Sequence, residues 1–343
     1  MKHVSWAWLL LLLPLGLSSS CDRKPSTDTR SGETDQAAPV VTVKAPVFSG
    51  DSAYHFVDRQ VGFGPRVPNS AGHRQCGDYL VATLKKYGAQ VTVQEFVADA
   101  YNGTKLQSRN IIGSYLPDAP KRILLAAHWD TRHVADKDSV RRNEPILGAS
   151  DGASGVGVLL EVARIIGADS SRAPVGVDII FFDAEDYGVP DAERANYPND
   201  KEFYCLGSQY WGKNLHKPGY SAYYGILLDM VGAKNATFFK EGLSMQYASG
   251  VVNKVWDIAG FLKYGQYFLN DVSNQVGTDD HVFINTLAKI PTIDIIDTKP
   301  QTGFSTYHHT HRDDMSIIDR NVLQAVGQTV LQTVYQEGAP VVQ

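Results

Sequence analysis

Cysteine is scarce: only three occur in 343 residues, at positions 21, 76 and 205. Two thiols within a folded region do not make a disulfide framework, so the fold must rest on an ordinary core. Cys76 falls on the apolar face of a helical pattern and is expected to be buried and not bonded to Cys205. A basic helix is missing, as is any patch interleaving basic and aromatic residues, and the formal net charge is −5. That balance excludes the electrostatic footprint of a nucleic-acid-binding protein. No second linker and no internal repeat breaks the chain after about residue 46, which excludes solenoids and strings of small modules. The composition, 43% hydrophobic and 20% charged, is that of a globular protein.

One long apolar run exists, at the start: 4-VSWAWLLLLLPLGLSSSC-21 behind Lys2 and His3. A short polar start, an apolar centre and a small-residue exit are the pattern of a signal peptide. The run is too short, and too close to Pro14 and the serines, for a good membrane span. Cys21 after 17-LSSS-20 resembles a relaxed bacterial lipobox, which implies an acylated N-terminal cysteine. We therefore expect residues 1–20 to be a signal peptide, 21–45 a lipidated cysteine with a flexible tether, and 46–338 one catalytic domain. The expected location is the periplasm or cell envelope, with the membrane touched only through the lipid on Cys21.

Beyond the tether, apolar strands alternate with helical patterns. Helices are predicted at Gly72–Tyr87, Ala153–Ile166, Met245–Ala259 and Arg320–Tyr335. Strands are predicted at Gln90–Phe96, Ser108–Tyr115, Arg122–Ala127, within 175-VGVDIIFFDAED-186 and 224-YGILLDMVG-232, and at 292-TIDII-296. Near-continuous apolar strands separated by helices indicate an α/β class, a three-layer α/β/α sandwich with a mostly parallel mixed sheet. Sites in such sheets form at the carboxyl ends of the strands. His128, Glu185, Asp186 and Asp229 all stand there.

Each piece has a plain structural reading. The pair His128 and Asp130 could simply close a strand. Asp151 in 148-GASDGASGVG-157 could be a helix cap. The acids of 278-TDDHVF-283 could be a turn into a helix. Adjacent Glu185 and Asp186 are more telling, because two neighbouring carboxylates repel and are costly to desolvate without a cation. Asp229 follows an apolar run and needs a partner once buried. The run 307-YHHTHRDD-314 supplies imidazoles, which suit Zn²⁺. Together they form an oxygen and nitrogen donor set without thiolate, which suits an open catalytic zinc site. His128, Asp151, Asp186, Asp229 and His309 could hold one or two zinc ions. Glu185, beside a ligand, is the natural general acid/base.

In this order the residues resemble the zinc-dependent aminopeptidase superfamily, from about Val57 to Tyr335, and 62-GFGPRVPNSAGH-73 resembles its entry motif. Within it, Asp279 in 279-DDHVF-283, the segment 183-DAEDYG-188 with 203-FYCLGSQYW-211, and 308-HHTHRDD-314 resemble the glutaminyl-peptide cyclotransferase branch. That resemblance implies one zinc per chain, held by Asp151, Asp186 and His309. It implies Glu185 as acid/base, with Asp229 and Asp279 sharing protons with it, and peptides bearing N-terminal glutamine as partners. His128, with Asp130, corresponds to a second-metal region that cyclases retain without using as ligand. Two departures touch the pocket: Asp186 stands where animal cyclases have glutamate, and His308 where they have tryptophan. All five ligands of a two-zinc aminopeptidase are also present, so hydrolysis of N-terminal residues is the competing expectation. A non-catalytic zinc-binding or peptide-binding protein on the membrane surface would need a degraded acid/base residue, and Glu185 is intact. The substrate pocket is expected to be apolar and walled by aromatic residues of the loop Tyr187–Trp211.

Overall fold

The computed structural model describes residues 43–169, 175–198, 201–299 and 303–338. The expected signal peptide, Cys21 and nearly all of the expected tether lie outside the described residues. In chain order the elements are α1 (Gly50–Val61), α2 (Ala71–Lys86), β1 (Gln90–Asp99), β2 (Lys105–Tyr115), β3 (Arg122–His128), α3 (Ala153–Ala168) and β4 (Gly176–Phe182). There follow α4 (Leu206–Lys213), β5 (Gly225–Asp229), β6 (Phe238–Lys240), α5 (Gly242–Phe261), β7 (Phe268–Val272), α6 (Asp280–Phe283), β8 (Thr292–Ile296) and α7 (Arg320–Glu337).

Strands β3 and β4 are buried at every position, so both faces of the sheet must be covered. Successive side chains reveal the two covers. Ile123, Leu125, Ala127, Val177, Ile179 and Phe181 join one large core cluster with residues of α1, α3 and α7. Their neighbours Leu124, Ala126, Ile180 and Phe182 join a second cluster with Trp211 of α4 and Ile284. This is the expected three-layer sandwich. The six strands run in the order β1-β2-β4-β3-β5-β8. The pairs β3/β4, β3/β5 and β5/β8 are parallel, while β1/β2 and β2/β4 are antiparallel. The carboxyl ends of β3, β4, β5 and β8 therefore open on one edge of the sheet.

Two helices were not foreseen. In α1, Ser49 caps the first turn by accepting from Ser52 N–H. Its buried stripe is Gly50, Ala53, Val57 and Gln60, too small and polar to register as an apolar face. Helix α4 begins at Leu206, inside the segment expected to be a loop. The packed chain also begins slightly before residue 46: Ala45 is buried, and its N–H donates to Gln332 Oε1 at 3.0 Å. Phe48 and Gly50 donate likewise to Gln328 (2.9 Å) and Gln324 (2.8 Å), so three glutamines spaced by four on α7 clasp the segment that leads into α1. Cys76 and Cys205 are both free and buried. Among the described residues no helix is long and apolar enough to cross a membrane.

Tight packing of α3 on β5 positions the site. A β-carbon on Gly155 would lie 2.3 Å from the Leu228 carbonyl oxygen and 3.0 Å from Ala127 Cβ. Only glycine lets the helix approach that closely, and the contact sits one residue before both His128 and Asp229.

Candidate active site

The strand ends deliver the acids and the loops hold them. Asp130 follows β3 and is fully buried. Its two carboxylate oxygens accept the N–H of Glu185 at 3.0 Å and of Asp186 at 3.2 Å, clamping the turn after β4. From the other side Cys205 N–H donates to the Glu185 carbonyl at 2.8 Å and Leu206 N–H to the Ala184 carbonyl at 3.0 Å. The Cys205 thiol donates to Glu185 Oε1 at 3.1 Å. Asp151 precedes α3, and its loop is held by Asp313, which accepts from Ser150 N–H at 2.7 Å and Asp151 N–H at 3.0 Å. Four residues at the site with side chains take the left-handed backbone region: Ala184 (φ 53°), Cys205 (57°), Met230 (49°) and His309 (57°). Each costs on the order of 1–3 kcal/mol and persists only where surroundings over-determine it. Here it turns Glu185, Asp229 and His309 into one space.

Asp151, Asp186 and His309 meet. His309 Nε2 lies 3.1 Å from Asp186 Oδ1 and 3.9 Å from Asp151 Oδ2. His309 Nδ1 faces Asp136 Oδ1 at 3.4 Å, leaving Nε2 to present its lone pair. Asp136 is in turn gripped by the buried Arg132 at 2.8 and 2.9 Å. Asp151 Oδ2 and Asp186 Oδ2 are buried and accept no hydrogen bond. Unpartnered buried carboxylate oxygens beside an imidazole nitrogen, without thiolate, fit a zinc ion. Donor atoms of Asp151, His308 and His309 also lie within 4.8 Å of one another, so His308 adjoins the same space. Its Nδ1 accepts from Lys137 Nζ at 2.9 Å.

His128 forms a second group. Its Nε2 lies 3.1 Å from Asp151 Oδ1 and 3.2 Å from Asp229 Oδ1, and its Nδ1 lies 3.6 Å from Asp130. Burial opposes charge on His128, yet the carboxylates of Asp130, Asp151 and Asp229 outweigh it and raise its pKa. Asp229 is pushed up to about 7, first by burial and then by Asp151 and Asp279, against His128. Glu185 is raised well above the usual carboxylate range, chiefly by burial and further by Asp186, Asp280 and Asp279. Atoms of Glu185, Cys205 and Asp279 lie within 4.8 Å of one another. Asp279 also caps α6 by accepting from Asp280 N–H.

These groups open into a cavity of about 260 Å³ whose lining includes Asp151, Glu185, Asp186, Asp229, Asp279 and His309. The expected apolar pocket with aromatic walls from residues 187–211 needs correction. Of that segment's aromatic side chains only Tyr204 lines the cavity, beside the charged Asp191, Arg194 and Glu202. Because α4 starts at Leu206, Tyr210 is turned onto Phe96 (ring centroids 4.7 Å apart) and Trp211 into the core. The apolar wall comes from Val189 of that segment and from Val276, Ile296 and Phe304 outside it.

Several site residues escaped the sequence reading: Asp294, Asp280, Cys205, Asp313, Arg132 and Asp136. One carried a usable signal. Asp294 interrupts the apolar 292-TIDII-296, and an acid inside a buried strand demands a partner.

The model of peptidase family M28 matches residues 110–334. Among solved structures, a Zn-dependent exopeptidase from Parabacteroides distasonis is 52% identical, with a TM-score of 0.82, over 85% of this chain and 99% of its own. The Bacteroides thetaiotaomicron glutaminyl cyclase bound to N-acetylhistamine is likewise 52% identical, with a TM-score of 0.81, over 85% of this chain and 99% of its own. Glutaminyl-peptide cyclotransferase of Dictyostelium discoideum is 23% identical over 76% of this chain and 77% of its own length.

Proposed function

The chain belongs to peptidase family M28, and from that membership we propose that it is a glutaminyl-peptide cyclotransferase, converting N-terminal glutamine of peptides to pyroglutamate with release of ammonia. The observation that carries the reading is the half-buried Glu185, grouped with Asp279 and lining one cavity with the Asp151–Asp186–His309 donor set. Likeness to the Bacteroides enzyme over nearly its whole length supports it.

Asp151, Asp186 and His309 would hold one Zn²⁺. When bound, the ion supplies Lewis-acid polarisation of the substrate γ-amide carbonyl. Glu185 takes a proton from the substrate's α-amine as that nitrogen bonds to the γ-carbon. It returns the proton to the γ-amide nitrogen as the C–N bond breaks, so one ammonia leaves and no water is consumed. The nucleophile belongs to the substrate, and a well-oriented intramolecular attack has an effective molarity on the order of 10⁵ M or more. The chain must chiefly hold and shield the N-terminal residue, which a small cavity does. Asp279 keeps Glu185 in a shared-proton environment, and His128 holds Asp229 at its side.

A second reading rests on one observation. His128, Asp151 and Asp229 present donor atoms within 4.8 Å of one another, a place for the second cation of an aminopeptidase. Incubating the purified protein with H-Gln-Ala and weighing the products separates the two. Loss of one ammonia with the peptide bond intact is the expected result. Free glutamine and alanine would overturn the cyclotransferase reading and make His128 and Asp229 ligands. The N-terminal pattern supports placement at the cell envelope through a lipid on Cys21, which mass analysis of the membrane-fraction N-terminal peptide tests.

A further inference from the structure

Two neighbouring histidines at the site meet opposite partners. His309 Nδ1 faces a carboxylate, Asp136, at 3.4 Å. His308 Nδ1 faces an ammonium, Lys137 Nζ, at 2.9 Å. The two imidazoles lie with centroids 3.6 Å apart, and His308 also packs on the Phe304 ring at 4.2 Å. Each ring brings its Nε2 to 3.9 Å from the same buried oxygen, Asp151 Oδ2. Lys137 is itself fixed. Its backbone N–H donates to the His309 carbonyl at 3.3 Å, and its Nζ lies 5.5 Å from the Phe304 ring centre and 4.0 Å from Asp191 Oδ2. The next residue, Asp138, accepts the N–H of His311 at 3.0 Å and holds the His311 ring nitrogen Nδ1 at 2.9 Å. Lys137 and Asp138 thus grip the histidine turn at His308, His309 and His311.

We propose that Lys137 is a positioning residue that fixes the tautomer of His308. It keeps His308 out of the ligand set of the zinc and makes its Nε2–H a hydrogen-bond donor to the γ-carbonyl oxygen of the substrate glutamine. A lysine ammonium carries three donors and no acceptor. His308 Nδ1 must therefore accept, which leaves a neutral ring with its proton on Nε2. A protonated ring nitrogen has no lone pair to give a metal. A histidine that ligates through Nε2 donates from Nδ1 to a carboxylate or carbonyl instead, as Asp136 allows His309 to do. Two adjacent imidazoles are thus assigned opposite tasks by the charge of the group behind each. The direction of the donor selects its acceptor. His308 Nε2 opens on the space it shares with Asp151 and His309, within the cavity. In the proposed reaction negative charge grows on the γ-carbonyl oxygen as the α-amine attacks, and an N–H fixed beforehand beside that oxygen stabilises it. The inference rests on the cyclotransferase reading for that acceptor only; the tautomer and the exclusion from the ligand set stand without it.

The test uses the full-length protein, zinc and the peptide H-Gln-Ala. Nitrogen NMR of the histidine-labelled, zinc-loaded wild type, assigned by the signals lost in His308→Phe, should show Nε2 of His308 protonated and free of metal. A metal-bound Nε2, or a proton on Nδ1, would overturn the proposal. His308→Phe keeps a ring against Phe304 but has no donor. Its zinc content and zinc affinity should equal those of the wild type, while kcat falls about tenfold to a hundredfold at nearly constant KM. Weaker zinc binding in this variant would make His308 a ligand and sink the proposal, and an unchanged kcat would remove the donor role. Lys137→Met removes the ammonium and keeps most of the stem. It should free the His308 tautomer, seen as a changed pair of ring-nitrogen signals, and lower kcat about three- to tenfold. Lys137→Arg again offers only donors and should recover most of both losses. Should the phenylalanine variant fail to fold, the two Lys137 variants supply the kinetic and spectroscopic readings. His308 signals in Lys137→Met identical to the wild type would overturn the role of Lys137. Wild type that yields free glutamine and alanine overturns the cyclotransferase reading instead, and the spectrum then still decides the tautomer.

Discussion

Replacing Asp130 by asparagine tests how the acid/base residue is held. In the wild type one buried carboxylate accepts two backbone N–H groups, from Glu185 at 3.0 Å and Asp186 at 3.2 Å. Asparagine keeps the shape but only one accepting oxygen. The other N–H then faces an NH₂ group, donor against donor. A charge-assisted hydrogen bond contributes about 1.5–3 kcal/mol, and a buried N–H without an acceptor costs about 1–3 kcal/mol. The sum is on the order of 3–5 kcal/mol, to be divided between global stability and local displacement of the turn. If stability takes half, the midpoint falls by roughly 3–10 °C at about 2–4 °C per kcal/mol. The rest appears as misplacement of Glu185, and about 1 Å costs on the order of 10² in rate. The assay is a thermal melt alongside ammonia release and zinc content per chain. Asp130→Asn with a wild-type melt, wild-type kcat and full zinc would refute the clamp.

Glu185→Gln should lower kcat by about 10² or more while zinc stays bound, read by ammonia release and metal analysis; retained turnover would remove Glu185 from its role. Gly155→Ala should destabilise by about 1–3 kcal/mol and weaken turnover, because its β-carbon would press 2.3 Å from the Leu228 carbonyl. Gly250→Ala in α5, where nothing lies within 4 Å, should instead stabilise by about 0.5–1 kcal/mol, so paired melts of the two should move in opposite directions. Burial pushes Glu241 up, but His281 and the amides of Leu243 and Ser244 outweigh it and hold its pKa at about 2, below its ordinary 4.5. A depressed folded pKa stabilises above the unfolded value, and this share, about 3 kcal/mol, is lost as pH falls through that window. Glu241→Gln should lower stability at neutral pH by a similar amount and flatten its decline between those two pH values, as urea titrations at several pH values would show.

Periodicity and composition alone determined much of this protein. Apolar runs leading to His128, Asp186 and Asp229 announce both a sheet covered on two faces and a site at its carboxyl edge, because strands buried on both sides are mostly apolar before their ends, Asp178 and Asp294 excepted. Helices α2, α3, α5 and α7 were legible for the same reason. Helix α1 was not, since its buried stripe of glycine, alanine, valine and glutamine carries little apolar signal and gains its stability from α3 and α7. Tertiary structure alone decided how the acids are grouped. Asp130 clamps Glu185 only because β3 and β4 are neighbours in register, with His128 opposite Phe182. Asp294 reaches Asp279 only because β8 pairs with β5 at the far edge of the sheet. The cavity walls likewise depend on where α4 begins, which turns Tyr210 and Trp211 away and leaves Tyr204. Strand order and helix start are long-range outcomes of packing, and no local window of residues contains them.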